Sequence, residues 1–238
     1  MSPAAAPATG AAGTDPVQAV LAGVVRQIPG AMVIDLGGGS GTRAVPLAVL
    51  GCRVVVVDSS IDALAILARR AADAGVAAQI DGVQADADKL STVVLPGQAD
   101  LVLCHHLLEE LEDPAEAVEA VMAALRPGGM VSVLTAGRPA AVLAQALAGR
   151  PGPALAMLTS DDGRSGPADP LRRRFDLPGL CQLLTSAGLE IALTAGVGVL
   201  PTPGDGSEDR RALERALARD PVLMALGADL HVLGRRPG

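Results

Sequence analysis

The run Val33-Ile34-Asp35-Leu36-Gly37-Gly38-Gly39-Ser40-Gly41-Thr42 restricts this chain more than any other segment. An apolar stretch carries an acidic residue near its end, and glycines at 37, 39 and 41 lead into the helical pattern of Thr42–Leu50. Glycine lets a backbone turn sharply and approach a ligand with no Cβ in the way. Asp58 closes the next apolar run, 17 residues after Gly41. A carboxylate in that place can accept both hydroxyl hydrogens of a ribose. Several readings of the loop compete. The dinucleotide fingerprint GxGxxG needs a glycine where Thr42 stands, and the Gly-Lys pair of a P-loop is absent. A glycine-rich turn without a ligand is the bland alternative, and a DxGxGxG nucleotide loop is the remaining one.

The rest of the first half repeats the same grammar. Asp15-Pro16 opens a helix that runs to about Gln27, with Asp as cap and Pro in the first turn. Strands are expected at Ala31–Leu36, Arg53–Val57, Ala77–Ala85, Ala99–Cys104 and Met130–Leu134. Helices are expected from Ser60 to Ala74 and from Asp113-Pro114 to the turn Arg126-Pro127-Gly128-Gly129. Continuous apolar strands separated by helices predict a parallel sheet covered on both faces. Beyond Thr135 the pattern loosens. Helices are expected at Pro139–Ala148, Asp176–Ala187 and Glu208–Arg219, and strands at Leu189–Leu200 and Asp229–Leu233. The Gly/Asp/Pro-rich stretch Ser160–Pro170 and the basic run Arg172-Arg173-Arg174 read as a substrate lid rather than a second domain.

Composition narrows the partners. The 238 residues carry a net charge of −7, with no Trp, no Tyr and only Phe175 as an aromatic. Nucleic-acid binders usually show a basic face or stacking aromatics, so a small-molecule partner is favoured. Cys52, Cys104 and Cys181 are scattered, and no Cys/His spacing suits zinc, so no metal is expected. No apolar run is long enough for a membrane span, and residues 1–14 read as a floppy tail rather than a signal peptide. The expected location is the cytoplasm.

The DxGxGxG loop resembles motif I of the class I S-adenosylmethionine (SAM) methyltransferases. Ala85-Asp86-Ala87 resembles the adenine-recognition segment of that family, Asp100–Leu103 its motif IV, and Leu125–Gly129 the turn before its fifth strand. The resemblance implies a single-domain, Rossmann-like seven-stranded mixed sheet in the order 3-2-1-4-5-7-6, with strand seven antiparallel. It assigns residues 31–134 to the SAM-binding core and 135–238 to the acceptor side. The implied cofactor-binding residues are Asp35, Gly37, Gly39, Gly41, Asp58, Ser59, Asp86, Ala87 and Cys104. Asp35 would contact the methionine end or brace the loop, and Asp58 would hold the ribose. From the residues alone, Cys104 reads as core.

Candidates on the acceptor side follow strand four. His105 and His106 stand where methyltransferase acceptors meet the cofactor, and either could act as a base or position the acceptor. The alternative is that one caps the strand end and the other faces solvent. Glu109–Asp113 reads as helix surface and cap. The stretch from Leu103 to Pro114, with Leu171–Phe175, Gly196–Val199 and Leu230–Leu233, resembles bacterial homologues of the tRNA 5-carboxymethoxyuridine methyltransferase. That group carries Asn, Arg and Phe where Gly137, Gly198 and Leu200 stand here. It implies a carboxylate acceptor, which needs no base and suits arginine forks. Arg138, Arg172, Arg173 and Arg174 are the candidate forks, and a solvated loop is the other reading of that run. Three outcomes are therefore expected in order: methylation of a carboxylate or hydroxyl on a small molecule, methylation of tRNA, or SAM binding without turnover.

Overall fold

The structure, a computed structural model, describes residues 15–86, 89–200 and 207–238. Its order is α1 (Pro16–Val25), β1 (Met32–Leu36), α2 (Ala44–Val49), β2 (Arg53–Asp58), α3 (Ile61–Asp73), β3 (Ile80–Gln84), α4 (Leu90–Val93), β4 (Ala99–His105) and α5 (Pro114–Ala124). Then follow β5 (Leu125–Ala136), α6 (Arg138–Leu147), α7 (Pro151–Thr159), α8 (Leu177–Ser186), β6 (Glu190–Val197), α9 (Glu208–Leu217) and β7 (Asp229–Arg235). The sheet runs β3-β2-β1-β4-β5-β7-β6. β7 is antiparallel to both neighbours, whereas β1 lies parallel between β2 and β4. This is the Rossmann-like seven-stranded sheet that the resemblance implied. Chain direction from β1 splits to either side, so the loop after β1 sits at the switch point where such sheets bind ligands.

Alternation along each strand sends side chains to two cores. Ile34, Leu36, Val102, Cys104, Val131 and Val133 pack beneath α5 and α8, against Val121, Leu180 and Leu184. Val33, Leu101, Leu103 and Leu134 pack on the opposite face with Leu21, Leu47 and Leu67 of α1, α2 and α3. Aliphatic side chains fill both layers, and Phe175 reaches only the margin of the first. Among the described residues, no helix is long and apolar enough to cross a membrane.

The structure departs from sequence expectation in four places. Ala77–Gln79 forms a 3-10 turn before β3, and β5 begins at Leu125, inside the expected turn. The short α4 and the whole of α7 went unrecognised. In α7 the prolines and glycine of Pro151-Gly152-Pro153 look like breakers, yet proline costs little in a first helical turn.

The stretch expected as a lid is tied down. Arg174 donates with both terminal nitrogens to Asp169, at 2.7 and 3.0 Å, and Ser165 and Leu171 amides donate to the same carboxylate. Burial resists ionisation of Asp169, but the Arg174 fork and these amides outweigh it and hold its pKa far below the ordinary range. Residues 172–175 then dock on the sheet. Arg172 and Arg173 amides donate to the Glu109 carbonyl, and Phe175 bridges Ala136 and Arg138. Removing one partner of a buried pair strands the other charge, at about 3 kcal/mol or more. Arg174→Ala is therefore expected to collapse hydrogen-exchange protection at the Ser165 and Leu171 amides while the β1–β4 amides keep theirs.

Candidate functional site

The glycine loop is a backbone construction. Gly37, Gly39 and Gly41 have φ of 72°, 53° and 76°, in the left-handed region that side chains disfavour. Gly38 has a different reason to lack a side chain: a Cβ there would stand 2.5 Å from Cγ of Asp35. Asp35 lies under the loop, 2% exposed, with Oδ2 unpartnered. Burial raises its pKa to about 7, with Arg43 opposing and the Asp58 charge adding to the rise. Arg43 itself pairs with Asp15 at 2.7 Å, which fastens the start of α1 to the start of α2.

Asp58 ties the loop from the other side. Its Oδ2 accepts from the Gly39 amide and its Oδ1 from the Ser60 amide, both at 2.8 Å. Each carboxylate oxygen keeps a second lone pair for a ligand hydroxyl. Next to it a cavity of about 620 Å³ is lined by Ser59, Asp86, Leu107 and the acidic Glu110, Glu112 and Glu116. Asp86 is largely exposed and meets Lys89 at 3.3 Å. Leu107 leans over Gly37, its Cδ1 3.3 Å from where a Cβ would stand. The orphaned Asp35 oxygen, the bare glycine backbone and this cavity fit a nucleoside with a charged tail. Ala87 lies outside the described residues. Cys104 is buried in the core, and burial with the nearby Glu109 and Asp35 charges pushes its thiol well above the ordinary range. Its side chain therefore offers a cofactor nothing.

The two histidines go separate ways. His105 turns onto the α1 face, where its Nε2 meets Ser132 Oγ at 2.9 Å, and that oxygen meets His231 Nε2 at 2.8 Å. Burial lowers the pKa of His105 to about 3, helped by His231 and Arg43, and that of His231 to about 4. Both rings are neutral at pH 7. His106 turns outward with φ 52°, the one described non-glycine residue with positive φ, and its ring is 51% exposed. Its Nδ1 meets Glu109 Oε1 at 3.0 Å, and its Nε2 stands 3.8 Å from Asp229 Oδ2. The Glu109 hydrogen bond raises the His106 pKa, burial opposes it, and the Asp229 charge supports the rise.

Glu109 corrects the expectation of a solvated helix face. It is 1% exposed, its Oε1 also accepts from the Ala136 amide, and its Oε2 has no partner. Its distance of three residues from His106 was the available signal, masked by the neighbouring acids. Asp229 carried no signal at all, because only the sheet brings it to His106.

The four arginines are differently committed. Arg138 donates to the carbonyls of Leu158 and Ser160, Arg173 to those of Leu111 and Glu112, and Arg174 to Asp169. Arg172 alone of these is exposed and makes no side-chain hydrogen bond among the described residues. Those residues hold no group of three His, Cys, Asp or Glu able to bind a metal.

A methyl group at position 41 would have to adopt the left-handed backbone and would stand 2.2 Å from Leu67 Cδ1. Gly41→Ala is expected to lower unfolding free energy by about 3 kcal/mol, as strain and overpacking add. Urea titration measures it.

Comparison with known proteins bears on the same region. Residues 33–129 match the methyltransferase domain family. A ubiquinone biosynthesis O-methyltransferase of Burkholderia thailandensis is 32% identical over 104 residues, 44% of this chain and 44% of that protein. The chain thus matches less than half the length of that curated relative. A SAM-dependent methyltransferase structure from Mesorhizobium loti superposes with a TM-score of 0.64 at 21% identity, covering 92% of this chain and 96% of that one. A 1,6-didemethyltoxoflavin N1-methyltransferase from Burkholderia thailandensis, solved with S-adenosylhomocysteine, gives a TM-score of 0.60 at 18% identity, covering 94% and 77%. The segment that carries the glycine loop, Asp58 and the His106–Glu109 pair is thus the segment that matches a methyltransferase domain, and the sheet around it has the methyltransferase fold.

Proposed function

We propose that the chain is a SAM-dependent methyltransferase that acts on an oxygen of a small molecule. The observation that carries this reading is the pairing of His106 with Glu109 at the end of β4, one strand from the glycine loop. The O-methyltransferase relative supports oxygen as the atom methylated. The 620 Å³ cavity by Asp58 has an acidic lining, which favours a cationic ligand and repels a polyanion such as tRNA. We therefore prefer a metabolite to the modified uridine.

Bound SAM supplies a methyl group on a sulfonium, which is displaced in line by a nucleophile. The glycine backbone at 37–41 and the free lone pairs of Asp58 would hold and orient it, and Asp86 would accept from the adenine amino group. Leu107 packs against Gly37 and gives the loop an apolar neighbour. His106 Nε2 accepts the proton of an acceptor hydroxyl. Its Nδ1–H is held by Glu109, which fixes the tautomer, while Asp229 stabilises the imidazolium that results. Arg172 is the fork free to meet a carboxylate on the acceptor.

Two experiments test this. Calorimetry is expected to show micromolar binding of S-adenosylhomocysteine but not of NAD. Asp58→Ala should weaken that binding by about 1–3 kcal/mol, and unchanged affinity in the folded variant would remove Asp58 from the site. Methyl transfer to a hydroxyl should rise with pH as His106 deprotonates. Because Glu109 raises the His106 pKa, the midpoint lies above the ordinary 6.5, and Glu109→Gln moves it down. His106→Gln should cost about 100-fold in kcat. A pH-independent rate would instead indicate a carboxylate acceptor, and binding without any transfer from labelled SAM would leave a ligand-binding protein.

A further inference from the structure

A cavity of about 710 Å³ lies on the α1 face of the sheet, between α1, β6 and α9. That volume is in the range of small-molecule pockets. Val17, Val20, Leu193, Ala195 and Val197 give it apolar walls, and Arg215 and Arg219 stand among its polar residues. Its lining includes one histidine, His231, 1% exposed, with Nε2 fixed on Ser132. No hydrogen bond among the described residues occupies its Nδ1.

The hydrogen-bond chain His105–Ser132–His231 decides what that nitrogen offers. Ser132 has one hydroxyl hydrogen, so it donates to one ring and accepts from the other. If it donated to His105, the His105 proton would sit on Nδ1, which is buried and unpartnered. Orphaned buried N–H groups are rarer than under-used acceptors. The favoured arrangement is therefore His105 Nε2–H to Ser132, and Ser132 O–H to His231 Nε2. The proton of neutral His231 is then on Nδ1, presented to the cavity as a donor.

Strand register sets the proposed base beside one wall of this cavity, although neither His106 nor Asp229 lines it. Asp229 and His231 lie on the same face of β7, two residues and about 7 Å apart. Val197 and Ala195, both in the cavity wall, are their partners on β6. Asp229 faces His106. We propose that this cavity holds the methyl acceptor, an apolar ring whose hydroxyl reaches His106 while an oxygen across the ring accepts from His231 Nδ1–H. The assignment rests on the methyl-transfer reading.

The probes are 4-hydroxyacetophenone, which has both oxygens, and 4-ethylphenol, which lacks the second. Titration of the full chain labelled with ¹⁵N-histidine is expected to show the His231 proton on Nδ1 and to shift it with 4-hydroxyacetophenone, which binds at least tenfold tighter than 4-ethylphenol. Ala195→Leu fills the cavity and should weaken both probes at least tenfold, with S-adenosylhomocysteine affinity unchanged. Ala19→Leu, from the α1 wall, serves if the first variant fails to fold. Equal affinity for the two probes, a His231 proton on Nε2, or full probe affinity in a folded, filled variant each overturns the assignment. Affinity for S-adenosylhomocysteine, measured on the same samples, separates the two ideas: its absence in the unmodified chain overturns the methyl-transfer reading, whatever the probes do at His231.

Discussion

One buried carboxylate holds together the segments that surround His106. Glu109 takes the His106 ring and the Ala136 amide on its side chain, and the Arg172 and Arg173 amides on its carbonyl. It thereby joins the turn after β4, the end of β5 and the tied loop that follows α7. Taking a carboxylate out of water costs several kcal/mol unless partners replace the hydration. Here one oxygen accepts two hydrogen bonds and the other has no partner. Among the described residues, His106 is the one side chain that donates to this carboxylate, and that hydrogen bond is the first cause of the raised His106 pKa.

The opposite end of the sheet edge is built on backbone. Asp58 holds the loop through the Gly39 amide and its own turn through the Ser60 amide, and Asp35 occupies the space beneath Gly38, so neither depends on a distant part of the chain. This locality decided what could be read from sequence. Glycines at 37, 39 and 41 and acids at 35 and 58 are requirements of a single β1–α2–β2 unit, visible within the 24 residues from Asp35 to Asp58. Strand order was legible only through resemblance, because parallel pairing leaves no mark on the residues themselves.

The surroundings of His106 and His231 were not legible for a matching reason. Ser132 and His231 are 99 residues apart, and Asp229 reaches His106 only because β7 inserts antiparallel beside β5. An arginine run reads the same whether its forks are free or used. Arg174 and Arg138 are consumed by the fold, and nothing at Arg172–Arg174 announces which one remains exposed. The acidic run Glu109–Asp113 hides one buried residue among exposed neighbours, since charge alone carries no information about burial.

Electrostatics link the two ends. Under the proposed reaction, Asp58 and the acids around the 620 Å³ cavity would make the cofactor side negative, which would suit a sulfonium before transfer. The thioether left after transfer would be neutral, and that part of the attraction would be gone. The α1 face is different: His105 and His231 are uncharged, the α1 and β6 walls are aliphatic with charged residues only on the α9 side, and Ser132 passes hydrogen bonds between strands without passing charge. A cationic donor and a neutral, apolar acceptor would thus be sorted to their own sides by field and solvation. In the proposed reaction His106, between Glu109 and Asp229, is the group that takes up the released proton.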